Sequence, residues 1–311
     1  MRQGVVPVVC SLVMVTSCGG SSSSSNSTPS VNPPGKCAPT EQNPLVGLAA
    51  ITEEYKVVVW DSPNSSTPRQ LEQIGDDPFS SRTGSDLTVV ETVAVSEKTC
   101  EVFVGACCEP VSGITFYDKD KDGEWETLIG HLPVISPDGE RLARVAYEEL
   151  LISSVTNPEE TTVTVTLPKA DVATIYRAQW INDDEVALSG FTKDGAYVWV
   201  ASQRTKSLRE GVQISNTIDG AAHGTYLVGL IGVDESDNVV TQNFATKQKT
   251  IIEYRYPESL DLRSTDTLSG FVRSYVMRGK RSVMVSDNGA LTTWFGNGDP
   301  RALAGTYVWA G

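Results

Sequence analysis

Five acidic side chains recur at short intervals between residues 118 and 126, in the sequence DKDKDGEWE. Asp118, Asp120 and Asp122 stand at alternate positions, a glycine follows, and Glu126 stands at the ninth position of the segment. Carboxylates with this spacing let a loop wrap oxygen ligands around a hard cation such as Ca²⁺. The twelfth position is Ile129 rather than the glutamate of an EF-hand, which excludes that type of loop. The segment predicts either a calcium loop or a solvated hairpin turn, because Asp and Gly also favour turns.

Two histidines, His131 and His223, are the candidate bases for a nucleophile–histidine–carboxylate arrangement. Neither a Gly-x-Ser-x-Gly elbow nor a Ser-x-x-Lys motif accompanies them in the sequence. We expect His131 to be a capping or loop residue beside a turn. We assign no catalytic residue from the sequence.

The N-terminal residues have the features of a secretory signal. Arg2 precedes a short apolar run over residues 5–15, and its 11 residues fall well below the roughly 20 needed to span a bilayer as a helix. A branched apolar residue and two small ones stand directly before Cys18, which resembles the lipobox of bacterial lipoproteins. The resemblance implies that residues 1–17 are a signal peptide cleaved after Ser17, with lipid on the Cys18 thiol. The alternative is an ordinary signal peptide with an unrelated cysteine.

The segment after Cys18 is rich in Ser, Gly, Pro and Asn and has almost no apolar content. Such a segment cannot bury enough surface to offset the entropy of ordering it. Residues 18–36 therefore predict a flexible tether carrying the lipidated cysteine, and residues 37–311 predict the folded domain.

Four cysteines belong to the predicted domain: Cys37, Cys100, Cys107 and Cys108. An even number in an exported domain favours disulfides. Residues 101–106 have strand character, which would hold Cys100 and Cys107 roughly 20 Å apart at about 3.3 Å per residue. That separation exceeds the roughly 7 Å between Cα atoms that a disulfide allows. The remaining pairings join Cys37 to Cys100, with a vicinal Cys107–Cys108 bridge or two thiols, or join Cys37 to Cys107 or Cys108.

The formal net charge of the 311-residue chain is −14. A charge of this size repels phosphate backbones and anionic lipid headgroups, so nucleic acid is not an expected partner. We expect the membrane to be contacted through the lipid alone and the domain to be a monomer that binds an envelope protein or a small ligand.

Short strand-like runs joined by tight turns dominate the chain from residue 45 onward. Asn-Gly and Asp-Gly turns tolerate the positive φ angles of hairpins, and three passages show consecutive strands connected in this way. The predicted strands are residues 281–286, 290–295 and 301–304; residues 185–191, 196–201 and 207 onward; and residues 100–106, 113–118 and 124–129.

Units of about 40–45 residues carrying four short strands are typical of propeller blades, and about 275 residues accommodate about six of them. Residues 134–143, with the sequence VISPDGERLA, look like the repeat of TolB-type β-propellers, in which the Ser-Pro-Asp-Gly turn follows the innermost strand. Residues 179–188 are similar but degenerate, and residues 277–283 are weaker again. The resemblance implies an all-β, six-bladed propeller. A β-sandwich built from similar hairpins is the alternative.

The two ends of the predicted domain complement each other. Residues 306–311 resemble an innermost strand with nothing after it, while residues 45–51, 55–61 and 69–74 form three strands without an inner partner. Completing one blade from both termini would close the ring and remove two sheet edges.

The sequence therefore predicts a membrane-tethered extracytoplasmic lipoprotein whose propeller is a non-catalytic protein- or ligand-binding scaffold. The alternatives are a calcium-dependent hydrolase or lyase acting on glycans or peptides at the channel mouth, with His223 as a candidate residue there, and a purely structural envelope component. Gly19 follows the candidate lipidated cysteine. By the lipoprotein resemblance, this implies the outer membrane in a Gram-negative host or the outer leaflet of the plasma membrane in a Gram-positive one.

Overall fold

Hairpins between consecutive strands build every sheet in the computed structural model of this chain. The structure describes residues 36–62, 67–71, 89–107, 113–118, 125–169, 173–216, 229–246, 249–270, 272–278, 281–296 and 299–310. These residues form antiparallel strands and turns, and among them no helix is long and apolar enough to cross a membrane.

Six antiparallel sheets form the blades, numbered I to VI in chain order, and each blade begins with its innermost strand and proceeds outward. Blade I contains β25 (Tyr307–Ala310), β1 (Leu48–Thr52), β2 (Val57–Trp60) and β3 (Arg69–Gln70). Blade II contains β4 (Val89–Val95), β5 (Val102–Cys107), β6 (Ile114–Asp118) and β7 (Trp125–Ile129). Blade III contains β8 (His131–Ile135), β9 (Arg141–Ala146), β10 (Glu149–Ser154) and β11 (Asn157–Thr166).

Blades IV to VI continue this pattern with one variation. Blade IV contains β12 (Ala173–Trp180), β13 (Glu185–Thr192), β14 (Gly195–Ser202), β15 (Ser207–Leu208) and β16 (Val212–Ser215). Blade V contains β17 (Gly229–Val233), β18 (Val239–Thr246), β19 (Lys249–Arg255) and β20 (Leu262–Ser269). Blade VI contains β21 (Val272–Arg278), β22 (Arg281–Ser286), β23 (Leu291–Phe295) and β24 (Arg301–Leu303). Both β15 and β16 pair with β14, so they are two pieces of one interrupted outer edge.

The ring closes by pairing the two ends of the domain, as predicted. Strand β25 pairs antiparallel with β1, placing Ala310 opposite Ala50 and Trp309 opposite Ile51. This fourth strand completes blade I, and the six-bladed all-β prediction is confirmed.

Separate apolar clusters hold the blades together, one at each of the six interfaces between neighbouring blades. Between blades III and IV, for example, Leu150 and Val165 pack with Trp180 and Trp199. Because the inner part of each blade is buried on both faces, a strand there can be continuously apolar rather than alternating, as β2 is. The long apolar runs, such as residues 57–60, are therefore consistent with strands.

A β-bulge interrupts all six inner strands where they pair with the next strand of the blade. Such bulges twist a strand and redirect one side chain. The unpaired residues are Glu91 in β4, one of residues 132–133 in β8, Tyr176 in β12, Ile231 in β17, Arg273 in β21 and Val308 in β25. The sixfold repeat is thus clearer in backbone geometry than in sequence.

Candidate functional site

The turns that follow the inner strands of blades II to V converge on one cavity of about 280 Å³, which we call the turn-side cavity. Four carboxylates line it: Glu97 from blade II, and Asp234, Glu235 and Asp237 from the turn of blade V. The turns meet because inner strands of neighbouring blades run side by side around the channel.

The carboxylates of this cavity do not all serve the same purpose. Asp234 stabilises its own turn, since its carboxylate accepts hydrogen bonds from the backbone N–H groups of Ser236 and Asn238, both at 2.9 Å. Glu97 pairs with Arg281 at 3.1 Å. Glu235 and Asp237 are exposed at the rim.

Negative charge dominates the electrostatics of the rim. Burial, followed by the nearby carboxylates of Asp234, Asp183 and Glu258, raises the pKa of Asp237 above its ordinary value. The raised pKa means that ionising Asp237 is opposed first by the loss of solvation and then by the surrounding negative charges. A cation entering the cavity would relieve this repulsion.

The remaining walls of the turn-side cavity are mainly apolar. Ile135, Pro137, Ile181 and Val233 contribute to them together with the ring of Trp180. The indole of Trp180 is fixed because its Nε1–H donates to the Val134 carbonyl at 3.0 Å. Apolar walls below an acidic rim suit an aliphatic stem that ends in an ammonium or guanidinium group.

Arg281 anchors the structure next to this cavity. Its side chain is fully buried and donates to the carbonyls of Val46 at 2.6 Å and Gly47 at 3.1 Å, in addition to Glu97. Gly47 has φ +74°, and a Cβ atom there would collide with the Cys37 carbonyl, so glycine is required at this crossing. Arg281 thus joins blade VI to the N-terminal segment and to the first turn of blade II.

His131 lies at the start of an inner strand, and not in a loop as predicted from the sequence. Its Nδ1 atom is 3.3 Å from Oε2 of Glu91, the bulged residue of the neighbouring inner strand. The sequence prediction was wrong because β7 and β8 are separated by Gly130 alone, which leaves no room for a loop.

The cysteine prediction is resolved by a disulfide between Cys37 and Cys100, whose Cα atoms are 5.3 Å apart. Of the alternatives that the sequence left open, the structure therefore has Cys37 joined to Cys100. Cys108 and the side chain of Cys107 lie outside the described part of the chain.

Most other predicted site residues also lie outside that part. Cys18, Asp120, Asp122 and His223 are not among the described residues, and only the backbone of Asp118 is described, at the end of β6. Glu126 lies in β7, where its carboxylate accepts a hydrogen bond from the Tyr117 hydroxyl at 2.9 Å. Across the described residues, no group of three or more His, Cys, Asp or Glu side chains is arranged to hold a metal ion.

The sequence analysis assigned no role to the residues that line this cavity, among them Glu97, Gln179, Asp234, Glu235 and Asp237. These residues share a position in their blades, because each lies at the end of an inner strand or in the turn after it. The Ser-Pro-Asp-Gly turn occupies the same position in blade III. Aligning the other blades on that turn would have placed these residues around one opening.

Taken together, the fold and the cavity define a six-bladed β-propeller with an acidic opening at one end of its channel. A chain of the mitotic checkpoint complex superposes on it with a TM-score of 0.54 and 14% identity, covering 85% of this chain and 78% of that chain. This similarity supports the fold alone.

Two further solved structures are more distant. The Dos1 propeller has a TM-score of 0.49 and 11% identity, covering 84% of this chain and 69% of that one. A chain of the nidogen/laminin complex has a TM-score of 0.49 and 10% identity, covering 80% and 88%. No family model and no curated protein matches the chain.

Proposed function

We propose that this protein is a non-catalytic binding scaffold whose turn-side cavity receives a basic side chain presented by a partner protein. The observation that carries the proposal is the cavity itself, in which apolar walls from blades III to V lie beneath the carboxylates of Glu235 and Asp237. A volume of about 280 Å³ suits one long side chain or a small ligand rather than a polymer.

The architecture supports a scaffold role. Closing six blades into a ring gives a rigid platform whose turns can differ in sequence without disturbing the core. The similar chain of the mitotic checkpoint complex is, by that description, part of an assembly.

We also propose that the scaffold is held at a membrane by lipid on Cys18 and extends from it through residues 18–36. The small residues before Cys18, the short apolar run and the Ser/Gly/Pro-rich tether support this location. The lipid would sit in the outer membrane of a Gram-negative host or the outer leaflet of a Gram-positive plasma membrane. Labelling with a radioactive fatty acid tests this, since Cys18→Ser must abolish incorporation.

Binding to the cavity is tested by calorimetric titration of the full chain, carrying Cys18→Ser, with N-acetyl-lysine methylamide. N-acetyl-norleucine methylamide, which retains the stem and lacks the ammonium, is the control ligand. Asp237→Asn should weaken lysine binding about fivefold, because a partly exposed charge pair contributes on the order of 1 kcal/mol. Asp194→Asn removes one exposed charge from a turn between β13 and β14 and should leave binding unchanged. Equal binding of the two ligands would refute the cationic site.

The partner is sought in cells with a photo-crosslinking amino acid at position 235 of the lipidated protein. A matched probe at position 194 controls for collisions. A defined adduct from position 235 that disappears on Asp237→Asn supports the proposal. The same adduct pattern from both positions would argue against a partner at the turn-side cavity.

A further inference from the structure

Strand β20 (Leu262–Ser269) is the outer strand of blade V and is exposed along its whole length. All eight of its residues are solvent-exposed, including Leu262 and Leu268 at 43% and 41%. It pairs with β19 on one side, and in the described part of the chain no strand pairs with its other side.

Other outer edges are poor templates for pairing. Strands β3, β24 and β7 have only two, three and five residues, and Leu128 of β7 is buried. The edge of blade IV is split between β15 and β16, and β11 contains Pro158. In β20, by contrast, residues 264–269 keep an unbroken register with β19. A long regular edge without proline or lysine is a template for another strand.

The charge of this edge also favours contact between copies. Arg263 and Asp266 are its only charged residues and they cancel, whereas the whole chain carries −14. The Arg263 guanidinium is further held over the Tyr256 ring, 3.8 Å from its centroid. Two copies therefore repel each other less at β20 than the overall charge of the chain would suggest.

We propose that a second copy of this chain pairs with β20 antiparallel, about a two-fold axis at Thr265, to form a homodimer. A two-fold axis perpendicular to the sheet requires directly opposed residues to share a face. With the axis at Thr265, Ser264 lies opposite Asp266 of the second copy, and hydroxyl-to-carboxylate pairs of this kind stabilise antiparallel strands.

Neighbouring registers fit less well. An axis at Asp266 would place the Asp266 carboxylates of the two copies opposite each other. An axis at Thr267 would place Asp266 of one copy opposite Leu268 of the other. With the axis at Thr265, Leu268 comes next to Leu262 of the second copy, covering both exposed leucines. Oδ2 of Asp266 accepts from the Tyr254 hydroxyl at 3.0 Å. In the proposed dimer, Ser264 of the second copy would donate to the other carboxylate oxygen.

This dimer goes beyond the proposed binding function and replaces the expectation of a monomer. It uses the outer edge of blade V, whereas the turn-side cavity lies at the channel, so each proposal can fail without the other.

Sedimentation velocity of the full chain carrying Cys18→Ser tests the dimer over a wide range of protein concentration. The expected result is a concentration-dependent shift to twice the mass of one chain. Thr265→Lys and Thr265→Glu should each remain single chains, because each opposes like charges across the axis. Their equimolar mixture should restore the dimer, and added salt should weaken the mixed dimer.

Thr164→Lys, on the exposed outer strand of blade III, is the control and should dimerise like the parent chain. A single-chain mass at the highest concentration would overturn the proposal. Dimers of Thr265→Lys as stable as the parent, or a mixture that stays dissociated, would also overturn it.

Discussion

The guanidinium of Arg281 and the carboxylate of Glu97 lie 3.1 Å apart although 184 positions separate them in the sequence. Glu97 belongs to blade II and Arg281 to blade VI, the two neighbours of the blade that closes the ring. The same guanidinium holds the carbonyls of residues 46 and 47, which lead into β1. One side chain therefore ties together the three blades at the point of closure.

Replacing Arg281 should strongly destabilise the fold. Arg281→Met removes three hydrogen-bonding contacts and takes the donor from the buried carbonyls of Val46 and Gly47 and from the partly exposed carboxylate of Glu97, at a cost of about 3–5 kcal/mol. Urea unfolding measures this loss. Arg204→Met, at a position whose side chain is 81% exposed, is the control and should change the unfolding free energy by less than about 0.5 kcal/mol. Equal effects of the two substitutions would show that the closure does not depend on Arg281.

The Cys37–Cys100 disulfide should contribute about as much to the free energy of unfolding as Arg281 does. It joins residues 63 positions apart, and a loop of this length corresponds to about 4 kcal/mol of lost unfolded-state entropy. Thermal unfolding of the double variant Cys37→Ser/Cys100→Ser should match that of the parent protein under reducing conditions. If reduction lowers the melting temperature of the double variant as well, another disulfide contributes.

Neutralising Asp237 should stabilise the fold at neutral pH. Because its folded-state pKa is raised above 3.8, the folded state holds the proton more readily than the unfolded chain does. Stability is then lost as pH rises from 3.8 through the folded pKa. Asp237→Asn should gain at most about 0.5 kcal/mol at pH 7, since the side chain is largely exposed.

The stabilisation of the fold by Asp237→Asn should vanish below pH 3.8, where the aspartate of the parent protein is also neutral. Asparagine tolerates the φ of 60° at this position, which makes it a suitable replacement. Urea midpoints of parent and variant measured across pH provide the comparison. A gain that persists at low pH would show that backbone conformation, and not charge, is the cause.

Calcium should raise the melting temperature if residues 118–126 form a calcium loop. Asp120→Ala removes a central ligand and should abolish the rise, whereas Asp194→Ala in another turn should retain it. Calorimetry with calcium and with a chelator makes the measurement. An unchanged melting temperature in the parent protein would establish the alternative, a solvated hairpin turn.

Local patterns in the sequence determined the strands, the turns and the closure of the ring. Turn residues and short apolar runs act over a few positions, so residues 281–304 predicted β22 to β24 directly. The unmatched strands at the two ends predicted the pairing of β25 with β1. The tendency of a segment to form a strand or a turn depends on its own residues, so it can be predicted without knowledge of the fold.

Only the tertiary structure decided which distant groups meet. Cys37 bonds to Cys100, Glu97 pairs with Arg281, and Asp237 joins Glu97 at one opening, because the ring brings together turns from different blades. The bulges of the six inner strands likewise depend on pairing between strands. The bulged positions share no residue type that could be recognised in the sequence. Contacts of this kind depend on how whole blades pack, and packing between distant segments is not encoded in any local pattern.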